Sequence, residues 1–235
     1  MKKMLSLFVV FVLFLAVLPF SANAQETNSS TINTPEDYIN YLKQNNRGLN
    51  SNSQGGDDHS IILKQFTSLS NEDQQKFVDY MNNPEAIKAI FDAMQSGENT
   101  DLYNGDIKIR VDESKLKNTI SPFATTYRPY AETVASALGI NIITTQVYVQ
   151  YRVSGGKITE ILNGGGLVTR NWFPVVNIAI KEDKPYINSD KTRAYQTAYF
   201  TWNFIHSSLG AVVGVGTHTI WGFTDGSYGS SFSKS

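Results

Sequence analysis

From Thr34 onward the apolar positions recur at helical spacing, with Tyr38, Ile39, Tyr41 and Leu42 on one face behind Thr34, Pro35, Glu36 and Asp37. A capping hydroxyl, a proline suited to the first turn and carboxylates at the positive end of the dipole mark a helix start. Residues 47–60, rich in Gly, Ser and Asn, break the pattern and predict a loop. Ile62, Phe66 and Leu69 then space a second helix, and Ser70 with Asp73 resembles a capping box for a third carrying Phe77, Val78 and Met81. Asn83-Pro84 opens a fourth, with Ile87, Ile90, Phe91 and Met94 on one side and Gly97 as its stop.

Beyond Gly97 the period falls to two. Ile107, Ile109 and Val111 alternate with charged residues and predict a half-buried strand over 106–112. Residues 115–125 read as a linker, and 126–138, with the run Ala131–Leu138, as a helix leading into a sheet. Strands follow at 140–153, 157–162, 167–171, 176–180, 194–204 and 211–223, separated by Gly, Asn and Pro signals. In 194–204, Ala194, Ala198, Phe200, Trp202 and Phe204 face one way and Tyr195, Thr197, Tyr199, Thr201 and Asn203 the other. The pattern predicts an α+β chain: a small N-terminal helical unit, then a mainly antiparallel β-sandwich or open barrel. The boundaries are residues 25–117 for the helical unit, ending in the strand and linker, and 118–235 for the β-rich domain.

Met1-Lys2-Lys3, an apolar run from Met4 to Phe20 and the small-residue exit Ser21-Ala22-Asn23-Ala24 have the three parts of a secretory signal peptide. The expectation is cleavage after Ala24 and an extracellular product, of the kind bacteria export. The chain has no cysteine, so the fold holds without disulfides, and thiol nucleophiles and thiolate metal sites are excluded.

The formal net charge is −1, unevenly spread: residues 25–120 carry 9 Lys+Arg against 15 Asp+Glu, and residues 121–235 carry 9 against 6. Opposite signs draw the two halves together, while a surplus of three positive charges is too small for a nucleic-acid surface. Lys115-Leu116-Lys117, in the expected linker, would make the acidic unit a removable pro-segment.

Candidate chemistry is sparse. His59, His206 and His218 show no metal-binding spacing, and His206 and His218 read as partly exposed strand-end residues. No serine sits in a nucleophile-elbow motif, the carboxylates of the second half fall mostly at turns, Asp101–Asp106 departs from a calcium-loop order, and Gly164–Gly166 lacks a phosphate-loop successor. A non-enzyme with no cofactor and no bound metal is expected.

The aromatics are the informative residues. Tyr195, Tyr199 and Trp172 are candidate surface-binding side chains, and flat amphipathic rings suit a sugar or a lipid headgroup layer. Residues 211–223 read as a terminal strand with Val213, Val215 and Trp221 toward the core, and with Gly214, Gly216 and His218 on a bare face forming a candidate groove. Strands 194–204 and 211–223 form an expected hairpin, each long enough at ~9–11 residues to cross a bilayer. Two functions follow: a secreted, membrane-active protein of antibacterial, bacteriocin-like or toxin-like type acting on anionic membrane surfaces, or a non-catalytic module for cell-wall glycan or other polysaccharide. Nothing in the sequence sets an oligomeric state.

Overall fold

The computed structural model describes residues 32–45, 58–113, 117–121, 124–174, 176–206 and 210–234. The expected signal peptide, most of the 47–60 loop and Lys115-Leu116 lie outside the described residues.

Four helices come first: α1 (Pro35–Asn45), α2 (Asp58–Thr67), α3 (Asn71–Asn82) and α4 (Pro84–Ser96). Their ends follow the local chemistry read above. The Thr34 hydroxyl accepts from the Asp37 N–H while the Asp37 carboxylate accepts from the Thr34 hydroxyl and N–H, and the Ser70 hydroxyl accepts from the Asp73 N–H. The Asn83 amide oxygen accepts from the N–H groups of Glu85 and Ala86 at the head of α4. Gly97 ends that helix at φ +69°, a left-handed turn natural to glycine. Tyr38, Phe66 and Phe77 pack ring to ring and knit α1, α2 and α3 together.

The strands are β1 (Thr100–Leu102), β2 (Ile107–Glu113), β3 (Lys117–Ser121), β4 (Ala124–Arg128), β5 (Tyr130–Ala137), β6 (Ile140–Ser154), β7 (Lys157–Asn171), β8 (Val176–Glu182), β9 (Tyr186–Ile187), β10 (Arg193–His206), β11 (Gly210–Phe223) and β12 (Tyr228–Lys234). They form two antiparallel sheets. In the first, β2 and β5 are followed by β6, which carries β7 on its other side and β4 and β3 beyond the end of β5. In the second, the order is β12, β11, β10, β8, with β9 extending β8's edge of β10. The α+β, sandwich-like architecture is the one the alternation predicts.

The sheets meet through small residues. A Cβ on Gly166 of β7 would press on Ala198 of β10 and Ile180 of β8, and one on Gly222 of β11 would fall on the Tyr151 ring of β6. Tyr151 also donates its hydroxyl to the Phe223 carbonyl at 2.7 Å across the sheets. One continuous core runs from Tyr38 and Phe77 in the helices through Ile143 and Val149 in the first sheet to Phe200 and Trp202 in the second.

Three local expectations change. Residues 126–138 are not a helix: they form the end of β4 and all of β5, where Ala131, Thr133, Ala135 and Ala137 are buried and pairing with β2 and β6 outweighs the helical leaning of alanine. Residues 117–121 of the expected linker are β3, hydrogen-bonded to β4. The segment expected as two strands around Gly164–Gly166 is a single long strand, β7, whose glycines let the second sheet approach. The boundary between residues 117 and 118 falls inside the first sheet, since β2 lies before it and pairs with β5 after it.

Candidate functional site

The hairpin β10–β11 dominates the second sheet. Each strand is 14 residues long, and they pair without a register break from Arg193 opposite Phe223 to His206 opposite Gly210. Period two sorts the side chains. Ala194, Gln196, Ala198, Phe200, Trp202 and Phe204 of β10 face the interior, as the sequence predicts for its apolar members, and all are buried. Tyr195, Thr197, Tyr199, Thr201 and Asn203 lie on the outer face, half-buried among one another.

In β11 the expected orientation is reversed. The buried positions are Gly216, His218, Ile220 and Gly222, whereas Val215 and Trp221 lie on the half-exposed outer face; the side chain of Val213 lies outside the described residues. Gly214, Gly216 and His218 therefore do not line an open groove. The bulk missing from their own strand arrives from other elements. A Cβ on Gly214 would collide with the Gln95 amide of α4, and one on Gly216 would stand 2.9 Å from the Phe232 ring of β12. Gln95 is buried, and Phe91, one turn earlier on α4, stacks on Trp202 with centroids 5.5 Å apart. Helix α4 thus covers the Gly214–Gly216 stretch and Trp202, while Gly166 of β7 and Tyr151 of β6 cover the rest of the inner face. The Lys234–Asp92 ion pair at 3.1 Å, with Lys88 on the same carboxylate, fastens β12 to the helix at the surface; Lys88 and then Lys234 hold the Asp92 carboxyl below its ordinary pKa.

His218 is fully buried, not the partly exposed residue expected. It sits opposite Ala198 of β10 and Phe232 of β12, its ring 4.8 Å from the Phe232 ring. Neither ring nitrogen has a hydrogen-bond partner among the described residues, and burial lowers its pKa from 6.5 to about 4, so it is neutral at pH 7. Gln196 Oε1 and Trp202 Nε1 are also buried without partners on this inner face.

The outer face carries a row of rings across the strands. Tyr186 of β9 lies opposite Tyr195 of β10, which lies opposite Trp221 of β11. Tyr186 and Tyr195 stack at 4.9 Å and 7°, and Trp221 lies over Gly229 of β12, whose Cβ would stand 2.6 Å from the indole. Arg193 covers Phe223 beside them at 4.8 Å. Tyr199 stands apart from this row, donating its hydroxyl to Asp183 at 2.8 Å. Trp172 is not on this surface at all. It is buried at the end of β7, where the Tyr38 hydroxyl of α1 donates to its carbonyl, so it is a core residue joining the helices to the first sheet. Sequence alternation found Tyr195 and Tyr199 but missed Tyr186 and Trp221: the first sits in a two-residue strand, the second on a strand read with its faces exchanged.

Residues with acid–base potential are dispersed. Asp225 is exposed and accepts from the N–H and hydroxyl of Ser227 in its own turn, while His218 is interior. The side chains of His59 and His206 lie outside the described residues. Among the described residues no group of three or more His, Asp and Glu is placed to hold a metal ion. A cleft of about 90 Å³ lined by Ile61, Gln65, Asn141, Arg170 and Trp172 is far below the about 300–1,000 Å³ of ordinary small-molecule sites. No family model, curated protein or solved structure matches the chain.

Proposed function

We propose that this is a secreted, membrane-active protein of antibacterial or toxin-like type, freed of its signal peptide after Ala24, whose working element is the β10–β11 hairpin. One observation carries the reading: a hairpin of 14 residues per strand keeps the Trp202 end of its inner face under a helix of an acidic N-terminal unit. A strand of ~9–11 residues is enough to cross a bilayer. On β10 the apolar residues lie on one side of the pleat and Thr, Tyr and Asn on the other, the alternation of a membrane β-strand, lipid-facing outside and polar inside. No helix among the described residues is long and apolar enough to cross a membrane. In the folded chain Phe91 of α4 covers Trp202, and lifting α4 away exposes that ring, while Phe200 stays under Gly166 of β7. Dye release from vesicles of mixed anionic and neutral lipid, measured at pH 7 and pH 4.5, tests this. Release at either pH is expected, and intact vesicles at both would overturn it.

The ring row favours a second reading, a glycan-binding surface. Tyr186 is more than half exposed at 57%, and with Trp221 and Arg193 it offers π-faces and a donor within a Thr- and Ser-rich sheet. Retention on peptidoglycan or insoluble polysaccharide, lost in Trp221→Ala and Tyr186→Ala, supports this reading; equal retention by both variants and the parent protein counts against it.

A further inference from the structure

We infer that His218 makes the seat of α4 on the β10–β11 hairpin acid-labile, so that protonation of its imidazole frees the helix and bares Trp202. The consequence for lipid rests on the membrane-active reading; the conformational step does not.

The argument starts from placement. His218 Nδ1 and Nε2 face no acceptor, and the groups around them are apolar or neutral: Ala198 from β10, Phe232 from β12 and, over the preceding glycines, Gln95 from α4. A charge created there meets no counter-ion among the described residues, and burying an unpaired cation is among the costliest events in a protein interior. The ring can take up a proton only by reaching solvent, and the layers over it must then separate.

The layer that yields is the one His218 supports. Phe232 lies between the imidazole and the end of α4, where a Cβ on Gly97 would strike the Phe232 side chain. Gln95, two residues before the cap, fills the space over Gly214 and Gly216 on the same face. Moving the imidazole therefore displaces Phe232, and Phe232 is the surface on which α4 ends.

Few charged or titratable groups surround this seat. From α4 they are Asp92 and Lys88, from β12 Lys234, and from β6 Tyr151 at the far end of the strand. β11 itself carries no Asp, Glu, Lys or Arg, and Arg193 of β10 lies on the outer face over Phe223. The Asp92 carboxyl is held below 3.8 by Lys88 and Lys234, and the Tyr151 hydroxyl is pushed above its ordinary value of 10.0 by burial. Between pH 6.5 and 4, His218 is the group of this set that changes charge. Its lowering to about 4 arises from burial alone, with no nearby charge contributing. If the opened state returns the ring to its ordinary value, the closed-to-open ratio falls by about 80-fold across that window.

Acrylamide quenching of Trp202 reads the opening directly, because Phe91 covers its ring in the closed state. Trp172→Phe and Trp221→Phe leave Trp202 as the sole tryptophan of the full chain, and dye release from anionic vesicles is recorded in parallel. Quenching should rise as the pH falls from 6.5 to 4. His218→Phe should abolish the rise, His218→Leu should do the same if the first variant folds poorly, and His206→Phe should leave it intact. A flat quenching profile, or an equal rise in His218→Phe and His218→Leu, overturns the switch. A His218-dependent rise without dye release at any pH sustains the switch and overturns the membrane reading. Dye release at every pH with a flat quenching profile sustains the membrane reading and overturns the switch.

Discussion

Replacing His218 by Phe should make the protein more stable at neutral pH and remove part of its acid sensitivity. At pH 7 the native imidazole is neutral and buried, with two nitrogens that lack partners. A phenyl ring of similar shape has no such groups to desolvate and can keep the tilted packing on the Phe232 ring, so a gain of about 1–3 kcal/mol is expected. The pH term has a definite sign. The unfolded chain binds a proton at His218 below 6.5 and the folded chain does so only near 4, so the stability from a neutral ring is complete above pH 6.5 and is lost as the pH falls toward 4. At about 1.4 kcal/mol per pH unit this amounts to roughly 2–3 kcal/mol between pH 7.5 and 4.5. For a chain of this length that corresponds to a Tm change of roughly 4–12 °C. Thermal unfolding followed by circular dichroism at the two pH values, in wild type and His218→Phe, provides the comparison. Carboxylates common to both proteins cancel in the difference. Parallel pH dependences in the two proteins would refute the reasoning, because they would show that the His218 site admits a proton without penalty.

Three further outcomes are expected. Gly222→Val places a side chain on the Tyr151 ring and should lower urea-unfolding stability by about 1–3 kcal/mol, whereas no loss would mean that β6 and β11 are not in close contact. Asn83→Ala removes the acceptor for the Glu85 and Ala86 N–H groups and should cost about 0.5–2 kcal/mol; if α4 is the sheath, hydrogen exchange in α4 and dye release should both increase. Trp221→Ala should leave the melting profile within roughly 1 kcal/mol of wild type, since the indole is half exposed over Gly229, and a larger loss would make the ring row structural.

The helices were readable because their signals are local. Thr34 with Asp37, Ser70 with Asp73, Asn83 and Gly97 act within one turn, and the structure places each at the end it marks. The long strands were readable from alternation. What escaped the sequence is information held elsewhere in the chain. Apolarity assigns Val215 and Trp221 to the core of β11, but the decisive quantity is the space over the opposite face, and Gln95, Phe232 and Tyr151 fill that space from three other elements. The alanines of β5 resemble a helix in isolation, and only pairing with β2 and β6 makes them a strand. Trp172 looks like a surface aromatic beside Arg170 and Asn171, but it is buried, with the Tyr38 hydroxyl of α1 donating to its carbonyl. Of the proposed ring row, Tyr195 was found by period two, while Tyr186 and Trp221 required the strand register.

The central claim is that α4 covers Trp202 on a hairpin whose apolar face is made for lipid. With Trp202 as the sole tryptophan, quenching by lipids brominated along the acyl chain reports whether that face reaches the bilayer interior. The account predicts quenching of Trp202 in step with dye release from anionic vesicles, at the pH that lifts α4. Dye release with Trp202 unquenched, or no release at any pH, would contradict it.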